Sequence, residues 1–206
     1  MESSPRDGTP VRTLLARVWR VPKVERTRRM SANEEGVPRW WLGRLPEGWF
    51  AFHDVPVGER GASIDHVVIG PGGVFTIETK HLGGAIRVNP RSIVHNGSRT
   101  NLLPKATAQA LRVARLLTAA IGRPVEVRGL LAILADEWTV KRLPDDVYVG
   151  GPASAKHWML QQPAILRSSD VIVLAAAASK LETWTRSFVG ERRSRPAAVA
   201  DPSPAA

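Results

Sequence analysis

The chain has 206 residues, enough for one domain with a proper core or two very small ones, and its apolar fraction of 43% and charged fraction of 23% are ordinary for a globular protein. It has no cysteine, which excludes disulfides, thiolate metal sites and cysteine nucleophiles, and which fits a cytoplasmic protein. The net charge of +10 suggests a nucleic-acid partner, but residues 1–29 carry +5 of it and residues 190–206 carry +1, leaving +4 for everything between.

Residues 1–29 mix proline, glycine and arginine around Leu14, Leu15, Val18 and Trp19, and are expected to form a basic, mobile tail. The alternative is an arm with Arg12, Arg17 and Arg20 along one side of a short helix, touching nucleic acid or anionic lipid. No apolar stretch there ends in a small-residue cleavage site, so no signal peptide is expected. Ser31 opens a predicted helix running toward Arg44, ended by the turn Leu45-Pro46-Glu47-Gly48. Trp49 to Val55 alternates as a strand, and two more strands flank Pro71-Gly72-Gly73. Further strands are predicted at Ala85–Val88 and Ser92–His95, with Asn96-Gly97 as a turn. Lys105 to Ile121 reads as an amphipathic helix with Ala108, Leu111, Ala114, Leu117 and Ile121 toward the core.

Val127–Leu134 is a buried-type strand and Asp146–Val149 another. Helices are predicted near Ala153–Leu160 and Ser169–Leu181, the second with Ser168, Ser169 and Asp170 as candidate N-caps. Val171–Leu174 and the alanines after it form the longest apolar run, well short of the ~20 residues that span a membrane. Residues 190–206, with Pro196, Pro202 and Pro204 among alanines, read as disordered. The alternation of helix and strand predicts an α/β (mixed α+β) domain over residues 30–189, a central mixed β-sheet flanked by helices.

The chemistry concentrates in one hairpin. A short loop at Gly70-Pro71-Gly72-Gly73 pairs Ile69 with Val74, and the same register sets Asp65 opposite Glu78. Asp65, Val67, Ile69, Val74, Thr76, Glu78 and Lys80 then share one face; Ile64, His66, Val68, Phe75, Ile77 and Thr79 share the other, an apolar packing surface. Opposed side chains lie roughly 5 Å apart, and like charges there repel unless a cation sits between them. Carboxylate oxygens so spaced suit Mg²⁺ or Mn²⁺, and Lys80 on the same face could position a water or neutralise charge developing on a phosphate. The alternative is an ion-pair face in which Lys80 bridges Glu78 and Asp65.

Ile64-Asp65-His66, Gly70-Pro71-Gly72-Gly73-Val74-Phe75 and Ile77-Glu78-Thr79-Lys80 closely resemble the nuclease-related domain (NERD) family. The likeness extends through Leu45-Pro46-Glu47-Gly48-Trp49, His53-Asp54-Val55, Arg87-Val88, Asn96-Gly97 and Leu103-Pro104-Lys105, over roughly residues 31 to 135. That family is grouped with the PD-(D/E)XK nucleases, which implies a restriction-endonuclease-like core, a metal-dependent phosphodiesterase, Asp65 and Glu78 as metal ligands and Lys80 as the catalytic lysine. It also implies an assisting acid on the first helix, and the position falls on Glu35. Ser31-Ala32-Asn33-Glu34 is a capping box that accounts for Glu34 alone, while Gly36 and Pro38 suit a helix start rather than its interior.

Related nucleases carry a glutamine on the helix after the E-x-K strand. Gln109 stands in that region, with Val113 where a tyrosine would follow; an exposed surface glutamine is its other reading. His66 is expected to pack in the core, and His81 to end the strand. Arg112 and Arg115 share a helix flank that could meet a DNA backbone or simply water. The expected function is a Mg²⁺-dependent hydrolase of phosphodiester bonds in DNA, with RNA as the alternative substrate and no membrane span or small-molecule cofactor. The rival expectation is an inactive DNA-binding or interaction module on the same fold.

Overall fold

The computed structural model describes Leu42, residues 45–57 and residues 62–186. The predicted helix from Ser31, Glu35 on it, and both terminal tails lie outside the described residues. Along the chain run β1 (Phe50–Pro56), β2 (Ser63–Gly70), β3 (Gly73–His81), β4 (Ala85–Asn89), β5 (Ser92–His95), β6 (Ser98–Arg99) and α1 (Leu102–Ile121). There follow β7 (Val127–Leu134), β8 (Glu137–Val140), β9 (Val147–Gly150), α2 (Pro152–Leu160), α3 (Ser168–Ala178) and α4 (Leu181–Thr185). The strands form two mixed sheets, ordered β1-β2-β3-β7-β9 and β6-β5-β4-β8. This is the mixed α+β architecture expected from the pattern; β6 and β8 are additional edge strands. No helix among the described residues is long and apolar enough to cross a membrane.

The hairpin of β2 and β3 has the predicted register, with Ile69 opposite Val74 and Gly70 opposite Gly73, so the loop is the two residues Pro71 and Gly72. A side chain at Gly70 would collide with the Trp49 ring, which lies against the strand there. At Asn96 and Gly97 φ is +47° and +82°, the left-handed pair a two-residue hairpin turn demands.

Both faces of the hairpin are covered. Val67, Ile69 and Val74 pack with Val113, Leu116 and Leu117 of α1 and with α3 and Trp184 of α4. Val68, Phe75 and Ile77 pack with Ala155 and Met159 of α2. The face carrying the acidic residues is therefore no open surface but the floor beneath α1. The parallel pair β3 and β7 needs a crossover, and that crossover supplies α1; the helices that cover the rest of the sheet follow β9 in the chain.

α1 departs from its predicted phase. Its buried residues are Leu102, Leu103, Ala106, Ala110, Val113, Leu116 and Leu117, whereas Ala108 is exposed and Leu111 is 56% exposed. The helix also begins earlier than predicted, at Leu102, because Pro104 sits in the first helical turn, where the missing N–H is an orphan anyway. The first regular bond runs from the Lys105 N–H to the Asn101 carbonyl (3.1 Å).

The second correction concerns α3. Its N-cap is Arg167, with no side-chain capping bond, in place of Ser168, Ser169 or Asp170; Asp170 instead lies in the first turn and pairs with Arg123. The helix ends at Ala178 and α4 doubles back. Trp184 Nε1–H donates to the Ala178 carbonyl and Thr183 Oγ1–H to that of Ala177, both at 2.7 Å, satisfying two carbonyls that a helix end leaves unpaired.

The observed phase of α1 is checked by two truncations followed by chemical denaturation. Leu117→Ala is expected to lose about 2–5 kcal/mol and Leu111→Ala no more than about 0.5 kcal/mol.

Candidate active site

The five-stranded sheet forks where the candidate residues sit. β2 stays with β1 down to the pairs Val55–Ile64 and Pro56–Ser63. β3 stays with β7 up to Lys80–Ile133 and His81–Leu134. Between β2 and β3 the ladder stops at His66–Ile77, one pair short of Asp65 and Glu78. The two acids were expected to face each other in a regular ladder. Instead they flank the opening of the fork.

Asp65 turns into the gap. Its Oδ2 accepts the Thr79 backbone N–H at 3.0 Å and the Thr79 Oγ1–H at 3.3 Å, so a side chain takes a donor that regular pairing would have given to the opposite strand. Burial pushes the Asp65 carboxyl above the usual carboxylate range. The Thr79 bond and Lys80 pull it back, the charge of Glu78 pushes it further up, and Lys105 pulls it down.

Glu78 is 1% exposed. Its Oε1 receives two ammonium groups, Lys105 Nζ at 2.6 Å and Lys80 Nζ at 3.2 Å, while Oε2 is buried with no hydrogen-bond partner. An unsatisfied buried acceptor ordinarily costs about 1–3 kcal/mol, and more on a charged group. Oε2 is thus a lone-pair donor kept out of water, beside a second carboxylate. That is a fit for a hard divalent cation, which seeks carboxylate oxygens. Asp65 and Glu78 are the residues that would hold it; among the described residues, no cluster of three or more acidic or histidine side chains completes such a site.

Lys80 is 17% exposed at the side chain, at the strand end where β3 emerges from the core. Lys105 has no counterpart in the sequence-based assignment. The family likeness takes it in at the helix start without giving it a role, and the structure brings it across 27 positions of chain to Glu78. Gln109 lies one turn along α1 from Lys105, on the same flank and half-buried.

His66 is buried as expected, but in a polar pairing. Its Nδ1 lies 2.8 Å from His53 Nδ1 on the neighbouring strand, so one ring donates, the other accepts, and the two cannot both carry a proton on that nitrogen. His81, Arg112 and Arg115 are exposed.

The raised Asp65 pKa has a thermodynamic consequence of definite sign. An acid whose folded pKa exceeds its unfolded value favours the folded state at low pH, and that contribution is lost as pH rises from the unfolded toward the folded pKa. Asp65→Asn keeps an acceptor for the Thr79 N–H without the buried charge. In metal-free buffer its melting temperature should exceed the wild-type value at pH 8, with the gap closing as pH falls toward 4. A wild type more stable than the variant at pH 8 would contradict the assigned cause.

The nuclease-related domain family matches residues 32–134, half of the chain and the whole of the fork. Neither a curated protein nor a solved structure matches the chain. On that family match, with the hairpin and its fork inside it, the chain belongs to the nuclease-related domain family.

Proposed function

We propose that this protein is a Mg²⁺- or Mn²⁺-dependent nuclease that hydrolyses phosphodiester bonds in DNA, acting through Asp65, Glu78 and Lys80 within a single domain over residues 30–189. The observation that carries the reading is Glu78: a carboxylate at 1% exposure with two lysines on one oxygen and nothing on the other. A purely structural ion pair has no use for an unsatisfied Oε2, because leaving it so is destabilising.

The chain's own groups divide the work. The Thr79 N–H and hydroxyl orient Asp65 so that its carboxylate faces the fork. Glu78 offers Oε2 from a position fixed by the β3–β7 ladder, where its neighbour is Leu131. A divalent cation held there supplies polarisation of the scissile phosphate and a more acidic water. The Lys80 ammonium, at the mouth of the fork, orients the attacking water and offsets charge gathering on the phosphate oxygens. Glu35 assists from the segment that precedes Leu45 in the chain. Apolar residues of β7 and α1 beneath the carboxylates keep the local dielectric low, which strengthens each of these interactions.

A binding module without catalysis is the second reading, and one observation favours it. Lys80 and Lys105 both contact Glu78 Oε1, so the chain's own lysines compensate its charge.

Cleavage of plasmid DNA, single-stranded DNA and RNA with Mg²⁺ or Mn²⁺ separates the two. Wild type should cut only with the metal, and Asp65→Ala and Lys80→Ala should each lose about 100-fold or more in rate. An inert wild type, or variants that cut as fast as it does, would hand the case to the binding module.

A further inference from the structure

We propose that Lys105 is a built-in counter-cation for the candidate metal site: it holds the Glu78 carboxylate in the metal-free protein and competes with a divalent cation for it. The inference rests on the metal-dependent reading above and adds a residue and a regulatory step to it.

The argument begins with charge. Among the described residues at the fork, Asp65 and Glu78 carry two negative charges when ionised, and Lys80 and Lys105 carry two positive ones. With all four ionised their charges sum to zero, which suits a site with Glu78 at 1% exposure. A divalent cation added to that set leaves it with two uncompensated positive charges in a partly buried place. If Lys105 swings away, one remains, which matches the single negative charge of a phosphodiester. Counting the described groups and one phosphodiester, the charges balance in both states when Lys105 yields.

The geometry says which lysine gives way. Lys80 belongs to β3 itself and its side chain is only 17% exposed, so it is held beside the carboxylates by the ladder with β7. Lys105 hangs from the first turn of α1 with its side chain 48% exposed. Its stem can turn outward and carry the ammonium into water at small cost, because 48% of the side chain is already exposed. Yet its contact with Glu78 Oε1, at 2.6 Å, is the shorter of the two. The shorter contact belongs to the more exposed cation. Oε2, which Lys105 does not reach, remains available for an incoming ion to begin the exchange.

Calorimetric titration of Mn²⁺ into the full chain, with electron paramagnetic resonance of free Mn²⁺ as a second readout, tests the competition. Lys105→Gln should bind Mn²⁺ roughly tenfold more tightly than wild type, since a charge a few ångströms from the ion is gone. The gain should vanish in the Lys105→Gln, Asp65→Asn double variant, which has lost a ligand. Lys105→Arg, which keeps the charge and grips a carboxylate with a planar fork, should bind Mn²⁺ more weakly than wild type and serves if the glutamine variant does not fold.

An affinity in Lys105→Gln that is unchanged or weaker would overturn the proposal while leaving the nuclease reading intact, because wild type would still bind. The same holds for Lys105→Arg binding as tightly as wild type or more so. Absence of Mn²⁺ binding in wild type and in all three variants would overturn the two together. Binding by Lys105→Gln but not by wild type would be the proposal in its strongest form.

Discussion

A glutamate sealed inside a protein has to be compensated, and the way Glu78 is compensated organises the rest of the site. With 1% of its surface exposed it has no access to bulk water, so its charge depends on groups the fold delivers. One lysine arrives two residues later on the same strand, the other from the first turn of the following helix. Both reach the same oxygen. The second oxygen is left to whatever the fork can bring, and the remainder of the architecture either builds that fork or keeps water away from it.

The fork follows from a competition between strands for partners. β3 cannot remain paired with β2 and also follow β7 indefinitely, because β2 runs on along β1 while β3 runs on along β7. Where the two diverge, backbone groups that regular pairing would use become available to side chains, and Asp65 takes the Thr79 N–H. An unbroken ladder would place the two acids face to face, in the arrangement that favours repulsion. The observed geometry turns one acid toward the backbone and the other toward the lysines, which moderates that repulsion without removing it.

How far this was legible in the sequence depends on the range of the interactions involved. The β2–β3 register was readable because it is local: the turn residues and the alternation of apolar positions act within some fifteen residues, and the glycines leave few alternatives. The fork was not readable, since it is decided by β1 and β7, which pair with the hairpin from outside it. The phase of α1 was not readable because apolar side chains such as Ala108, Leu111 and Ala114 mark a second possible face, and the choice is made by the strands the helix packs on. Lys105 was not readable because its partner lies 27 positions away. With Leu103 and Ala106 facing the core, Lys105 stands at their border, beside the buried acid. Capping of α3 failed for a different reason: Asp170 has a tertiary partner in Arg123, and a local preference gave way to it.

The burial that makes the site costly also makes it rigid. Leu131 and Ile133 of β7, and Leu102, Leu103 and Ala106 of α1, are joined in one apolar cluster with the second sheet, and they border the strand positions of Glu78 and Lys80. Side chains in such a setting have few rotamers open to them, so the carboxylates are held in place before any ligand arrives. A site of this kind needs at least one element that can move, or a ligand could not enter without disturbing the core. On the proposal above that element is Lys105, whose half-exposed side chain bridges the buried acid and the solvent. On that proposal, held carboxylates and a cation that yields are two requirements of one problem, that of holding negative charge in an apolar place until a more highly charged partner takes it over.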